Sequence, residues 1–203
     1  MNFFKLNMEP SNDTLKADFF ATFSLKNLID ESYLQSLASD FEIKATQCKS
    51  QYQLNRIQKA YFLKYDQLLN QTANKGQLNQ KGVAEAIKST LQEFEESLYN
   101  ILSYTVMPNH IHFLFKLKKP ETDDLQKQVE GILQLLKEQI TQNIGQYLNL
   151  GNNIWATFNC EHHLMLEKEV INLTSYLVED PVKAGLVDYW KDYPHTYINP
   201  DLV

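Results

Sequence analysis

Apolar positions along the chain change period several times, and each change marks an element. Asp18 to Leu25 is aromatic and β-branched, which predicts a first β-strand. Residues 27–40 carry Leu28, Ile29, Leu34 and Leu37 at helical spacing. From about 44 to 80 the chain turns polar, and NQTANKGQLNQKG reads as a surface loop. Tyr61, Phe62, Tyr65 and Leu68 interrupt that polarity, so the segment is expected to be a polar insertion or a helical elaboration. Val83, Ile87, Leu91, Phe94 and Leu98 form one helical stripe. Two strand-like runs follow, Ile101 to Val106 and His110 to Phe115, with Pro108-Asn109 as the turn between them. Leu125, Val129, Ile132, Leu133, Leu136, Ile140, Ile144 and Tyr147 mark a long amphipathic helix that opens after a capping signal at Thr122-Asp123. Asn149 to Asn153 is a loop, residues 155–166 a further strand, and Glu167 to Glu179 a last helix stopped by Asp180-Pro181. The order predicts an α+β protein, an antiparallel sheet with helices packed on it, in one domain over 1–203 with 188–203 as a C-terminal tail.

Composition changes this picture in two ways. At 203 residues and 43% hydrophobic, the chain can bury a substantial core, and no apolar run approaches a membrane span. The first residues, MNFFKLNMEPSNDT, lack a secretory pattern, and Cys48 and Cys160 are the only cysteines. The expectation is a cytoplasmic protein with no membrane partner. The net charge of −6 and the single arginine, Arg56, leave no broad basic footprint. A nucleic-acid partner would therefore be met by local lysines such as Lys116, Lys118, Lys119 and Lys183, with strongly salt-dependent binding.

The candidate chemistry begins at His110 and His112. Residues two apart on a strand share a face, so both imidazoles project together while Ile111, Phe113 and Phe115 point the other way. Such a pair can hold a divalent metal, and an exposed polar strand face explains it equally without one.

The stretch VMPNHIHFLF resembles the signature of the HUH endonucleases, closest to the REP-associated and insertion-sequence single-tyrosine transposases. SYLVEDPVKAGLV, from Ser175 to Val187, is similar to that family's tyrosine helix and the stretch after it. DYWKDYPHTY resembles the family's ending, FLKYDQLLNQ from Phe62 resembles an element of some members, and Trp155 and Phe158 match a looser one. The resemblance implies a ferredoxin-like sheet of the HUH type and a metal-dependent single-stranded DNA endonuclease and strand transferase acting at hairpin DNA. Tyr176 would be the nucleophile and would form a 5′-phosphotyrosine. Mg²⁺ or Mn²⁺ would be held by His110, His112 and Asp180, which stands four residues after Tyr176 on the same helix face, where the family usually has Asn. Val170, Leu173 and Leu177 would dock that helix on the sheet. Glu161, His162 and His163 are further candidates, with at most one of the two histidines directed into a site, and Asn109 is read as shaping the turn. A domesticated hairpin-binding protein that no longer cleaves is the alternative, as is a small-molecule metalloenzyme; monomer and homodimer both stay open.

Overall fold

Six helices and five strands account for the regular structure of the computed structural model, which describes residues 18–120, 125–148, 151, 153–156, 160–164 and 167–202. They follow one another as β1 (Asp18–Ser24), α1 (Glu31–Thr46), α2 (Gln51–Gln71), α3 (Lys81–Glu93), β2 (Tyr99–Val106), β3 (His110–Leu117), α4 (Leu125–Ile144), β4 (Cys160–Leu164), α5 (Glu167–Val178), α6 (Asp180–Lys183) and β5 (Thr196–Ile198). The sheet is antiparallel throughout, in the order β4-β1-β3-β2-β5. With the α1–α2 pair and everything after β4 (α5, α6 and β5) set aside, the chain runs β-α-β-β-α-β, the split arrangement of a ferredoxin-like fold. The expected α+β class and ferredoxin-like sheet are both present.

The two faces of the sheet are separate cores. Phe19, Ala21 and Phe23 of β1 and Ile111, Phe113, Phe115 and Leu117 of β3 pack against α3 and α4. Phe20 and Leu114 face the other way, against α1, α2 and α5. Alternation puts Ile101 on the first core and Leu102 on the second, and a β-bulge between Ile101 and Ser103 shifts the alternation so that Tyr104 and Val106 return to the first. Each buried aromatic or branched side chain contributes roughly 1.5–3 kcal/mol. A one-residue slip of β3 would turn Ile111, Phe113 and Phe115 away from their core, so the register that aims His110 and His112 is set by the apolar residues between them.

Most of the polar middle of the chain is helical, and the stretch read as a surface loop, residues 70–82, spans the connection between α2 and α3. α1 opens on Asp30, whose side chain accepts from the Tyr33 N–H, so the helix expected at 27–40 lies later, at 31–46. Ser50 caps α2 in the same way, accepting from the Gln53 N–H. Gln58, Tyr61, Phe62, Tyr65, Asp66 and Leu69 are buried along one side of α2, while the Gln and Lys residues that make the segment polar lie mostly outside. Even the loop after α2 buries Leu78 completely. The presumed tail is also built in: β5 extends the sheet, and the Tyr193 hydroxyl donates to the Val106 carbonyl at 2.8 Å. The capping signal at Thr122-Asp123 and Phe158 lie outside the described residues.

One close approach ties the α2–α3 connection to the histidine turn. The Leu78 N–H donates to the Pro108 carbonyl at 2.8 Å, and a Cβ at Gly76 would come within 1.9 Å of that same oxygen. Gly76→Ala should therefore destabilise the protein by about 1–3 kcal/mol, the usual cost of overpacking where backbone must move. Chemical denaturation checks this; a midpoint equal to that of the unmodified chain would contradict the packing described.

Candidate metal and nucleophile site

β3 presents His110 and His112 on the sheet face covered by α1, α2 and α5, and both imidazoles are fully buried. The bland explanation of the pair as an exposed polar strand face is thereby removed. Each ring is anchored through Nδ1. Asn109 donates from its amide nitrogen to the Leu69 carbonyl at 2.8 Å, which leaves its Oδ1 to accept from His110 Nδ1 at 2.8 Å. Thr22 Oγ1 lies 3.0 Å from His112 Nδ1. Both Nε2 atoms are thus turned inward, and they stand 3.1 Å apart.

Two carboxylates meet them there. Asp180, the first residue of α6 and followed by Pro181 at a favoured helix start, places Oδ2 3.2 Å from His110 Nε2 and 3.3 Å from His112 Nε2. α5 ends at Val178, one residue before the expected Glu179, and Asp180 opens a new short helix rather than stopping the old one. Asp66 of α2 places Oδ1 2.9 Å from His112 Nε2. One donor atom from each of Asp66, His110, His112 and Asp180 lies within 4.8 Å of all the others, a set able to hold a metal ion. Neighbouring ligands of an octahedral ion with bonds near 2.1 Å stand about 3 Å apart, the spacing seen between the two imidazole nitrogens. Asn70 braces both carboxylates, donating to Asp180 Oδ1 at 2.8 Å and Asp66 Oδ2 at 3.4 Å, while its own buried carbonyl oxygen has no partner.

Tyr176 of α5 is half-buried and donates its hydroxyl proton to Asp66 Oδ2 at 2.5 Å. α5 is docked as expected, with Val170 and Leu177 buried and Leu173 packed beside them, and the Thr105 hydroxyl donates to the Leu177 carbonyl at 3.3 Å. Lys183 lies across the tyrosine ring, its Nζ 3.0 Å from the centroid and 2.9 Å from the Tyr176 carbonyl.

Burial and charge split the titration of the cluster. Burial pushes the His110 imidazole down, and the neighbouring His112 pushes it further. Burial acts on His112 in the same direction, but Asp180 and Asp66 outweigh it and push the ring up to about 9. Burial would raise the Asp180 carboxyl; hydrogen bonds from His110 and His112 hold it well below the usual carboxylate range. The Tyr176 phenol is pushed up, first by burial and then by Asp66, so it stays neutral at ordinary pH.

No family model matches the chain. Over 125 residues it is 30% identical to a Haemophilus influenzae protein named "Putative REP-associated tyrosine transposase", a stretch covering 58% of this chain and 67% of that protein. The chain belongs to the REP-associated tyrosine transposase family. Among solved structures it is similar to a REP-associated tyrosine transposase bound to a REP hairpin, with a TM-score of 0.48 and 19% identity, covering 93% of this chain and 81% of that one.

In this member of the tyrosine transposase family, His110, His112, Asp180 and Tyr176 come together, with Lys183 beside the tyrosine. Lys116, Lys118 and Lys119 do not join them: they lie at the other end of β3, about 20 Å along the strand from His110 to Lys116, and Lys118 faces Glu96 at 3.6 Å. β4 carries Glu161, His162 and His163, whose side chains lie outside the described residues. Asp66 and Asn70 were not among the residues singled out from sequence, and Asn109 does more than shape its turn. Their one signal was position: Asp66 and Asn70 both fall within FLKYDQLLNQ.

Because the folded pKa of His112 is raised above that of an unfolded histidine, its stabilising contribution is complete below about pH 6.5 and disappears as pH rises through about 9. Metal-free protein should lose on the order of 1 kcal/mol per pH unit across that window. Denaturation midpoints in chelator between pH 6.5 and 9 measure it, and a flat profile would show that His112 is neutral in the fold.

Proposed function

We propose that this protein is a metal-dependent single-stranded DNA endonuclease and strand transferase that uses Tyr176 as its nucleophile at hairpin DNA. The observation that carries this reading is the single carboxylate separating the Tyr176 hydroxyl from the imidazole pair: Asp66 Oδ2 accepts from the phenol and Oδ1 meets His112. His110, His112 and Asp180 have the donor chemistry for Mg²⁺ or Mn²⁺. Such an ion would supply positive charge at the scissile phosphate.

Tyr176 is held neutral, so its oxygen becomes a nucleophile only as its proton leaves. The hydrogen bond to Asp66 provides the path for that proton. The Tyr176 oxygen bonds to phosphorus, the bond from phosphorus to the 3′ oxygen breaks, and the departing oxygen takes up a proton. A 5′-phosphotyrosine and a free 3′-hydroxyl result, and the same steps in reverse join a strand. Lys183, already against the tyrosine, is the cation available to a phosphate there.

A second reading, a hairpin-binding protein without cleavage, is favoured by one feature. Asp66 and Asp180 bring two carboxylates to a centre that must accept an anionic phosphate, in a chain of net charge −6. Covalent trapping separates the two. Labelled single-stranded hairpin DNA incubated with protein and Mn²⁺ should yield a species that survives denaturing electrophoresis, absent with Tyr176→Phe and with chelator. Hairpin binding without any such species would establish the second reading.

A further inference from the structure

The centre is assembled from separate parts of the chain, and α2 supplies a residue in contact with both halves of the chemistry. Asp66 is fully buried. Its Oδ1 is 2.9 Å from His112 Nε2 and its Oδ2 is 2.5 Å from the Tyr176 hydroxyl. Asn70, one turn further along α2, donates to Oδ2 of Asp66 and to Oδ1 of Asp180, which places both carboxylates under one amide. The unpartnered Asn70 carbonyl oxygen belongs to the same group.

We propose that Asp66 links the metal to the nucleophile: Oδ1 is the fourth ligand, Oδ2 orients the Tyr176 hydroxyl, and Asn70 holds Asp66 and Asp180 in register. This rests on the metal-dependent reading above and deepens it. Two carboxylates and two imidazoles form a donor set suited to hard divalent ions, with the carboxylates balancing the charge of the ion. With one carboxylate shared, an ion at Oδ1 and the Tyr176 hydroxyl at Oδ2 act on the same side chain, so occupancy of the centre is felt at the tyrosine. The role falls to the α1–α2 pair, which lies outside the β-α-β-β-α-β frame and covers the histidine face.

The test uses full-length protein and the metal alone. Mn²⁺ affinity is read by electron paramagnetic resonance, and the tyrosine is followed by the ¹⁹F signal of 3-fluorotyrosine placed at position 176 during Mg²⁺ titration. The unmodified chain should bind Mn²⁺ and show a ¹⁹F shift that saturates with Mg²⁺. Asp66→Asn should weaken Mn²⁺ binding by about 10–100-fold and uncouple the ¹⁹F signal from Mg²⁺ even at saturation. Asp66→Glu, which keeps the carboxylate, should recover part of both effects; metal-free melting of each variant reports folding separately. A residue that merely holds α2 in place would alter melting and leave the Mn²⁺ affinity of folded protein unchanged.

If Asp66→Asn binds Mn²⁺ as tightly as the unmodified chain while His112→Ala does not bind it, the centre stands and the role of Asp66 is overturned. If the unmodified chain and His112→Ala bind Mn²⁺ equally, the metal centre itself fails, and this proposal with it.

Discussion

Four ionisable side chains with no access to water must compensate one another, and that requirement ties α2, β3 and the α5–α6 junction together. Asp66 and Asp180 are fully buried, and an uncompensated carboxylate in such a place costs several kcal/mol. The compensation comes from His110 and His112 on the central strand, with Asn70 and Tyr176 donating to the carboxylate oxygens that remain. α2, β3, α5 and α6 meet at this point, so none can shift without leaving a charge unpaired. Buried ion clusters are weak sources of net stability but strict selectors of geometry. Here the geometry selected is two Nε2 atoms and two carboxylate oxygens facing one another.

The sheet makes this possible by dividing its labour. Its first face is an apolar core under α3 and α4, dominated by Phe19, Phe23, Ile111, Phe113 and Phe115. Hydrophobic burial there fixes strand register, and register alone determines that His110, His112, Thr22 and Ser24 share the opposite face. Those polar side chains become buried only because the α1–α2 pair closes over them, with Tyr65 reaching Ser24 at 2.6 Å. The tyrosine helix joins at the edge of that cover and leaves Tyr176 half-exposed under Lys183. A buried cluster able to hold an ion and a half-exposed tyrosine are therefore neighbours on one face.

Much of this was readable from residue order, for local reasons. Alternation around His110 and His112 placed the imidazoles together, because strand side chains alternate whatever surrounds them. The four-residue spacing of Tyr176 and Asp180 brought the two close, although they stand on successive helices, α5 and α6, and Val170, Leu173 and Leu177 showed which side of α5 would dock. The antiparallel sheet and its helices followed from changes in apolar period. α2 was legible only in part: Tyr61, Phe62 and Tyr65 marked packing within the polar stretch, but its outward Gln and Lys residues gave no sign that the helix closes the site.

What the tertiary structure alone decided is which distant residues meet. Asp66 lies 46 positions from His112 and 110 from Tyr176, and no periodicity connects them. A lone aspartate in a polar helix is ordinarily solvated, and its burial depends on how α2 packs across the sheet. The same packing separated the lysines, holding Lys183 at the tyrosine and leaving Lys116 and Lys118 at the far end of β3. Local sequence determined the directions in which side chains point, because backbone geometry repeats over two or four residues. The composition of the centre was settled by long-range packing, because burial of a charge is tolerated only where another element supplies its partner.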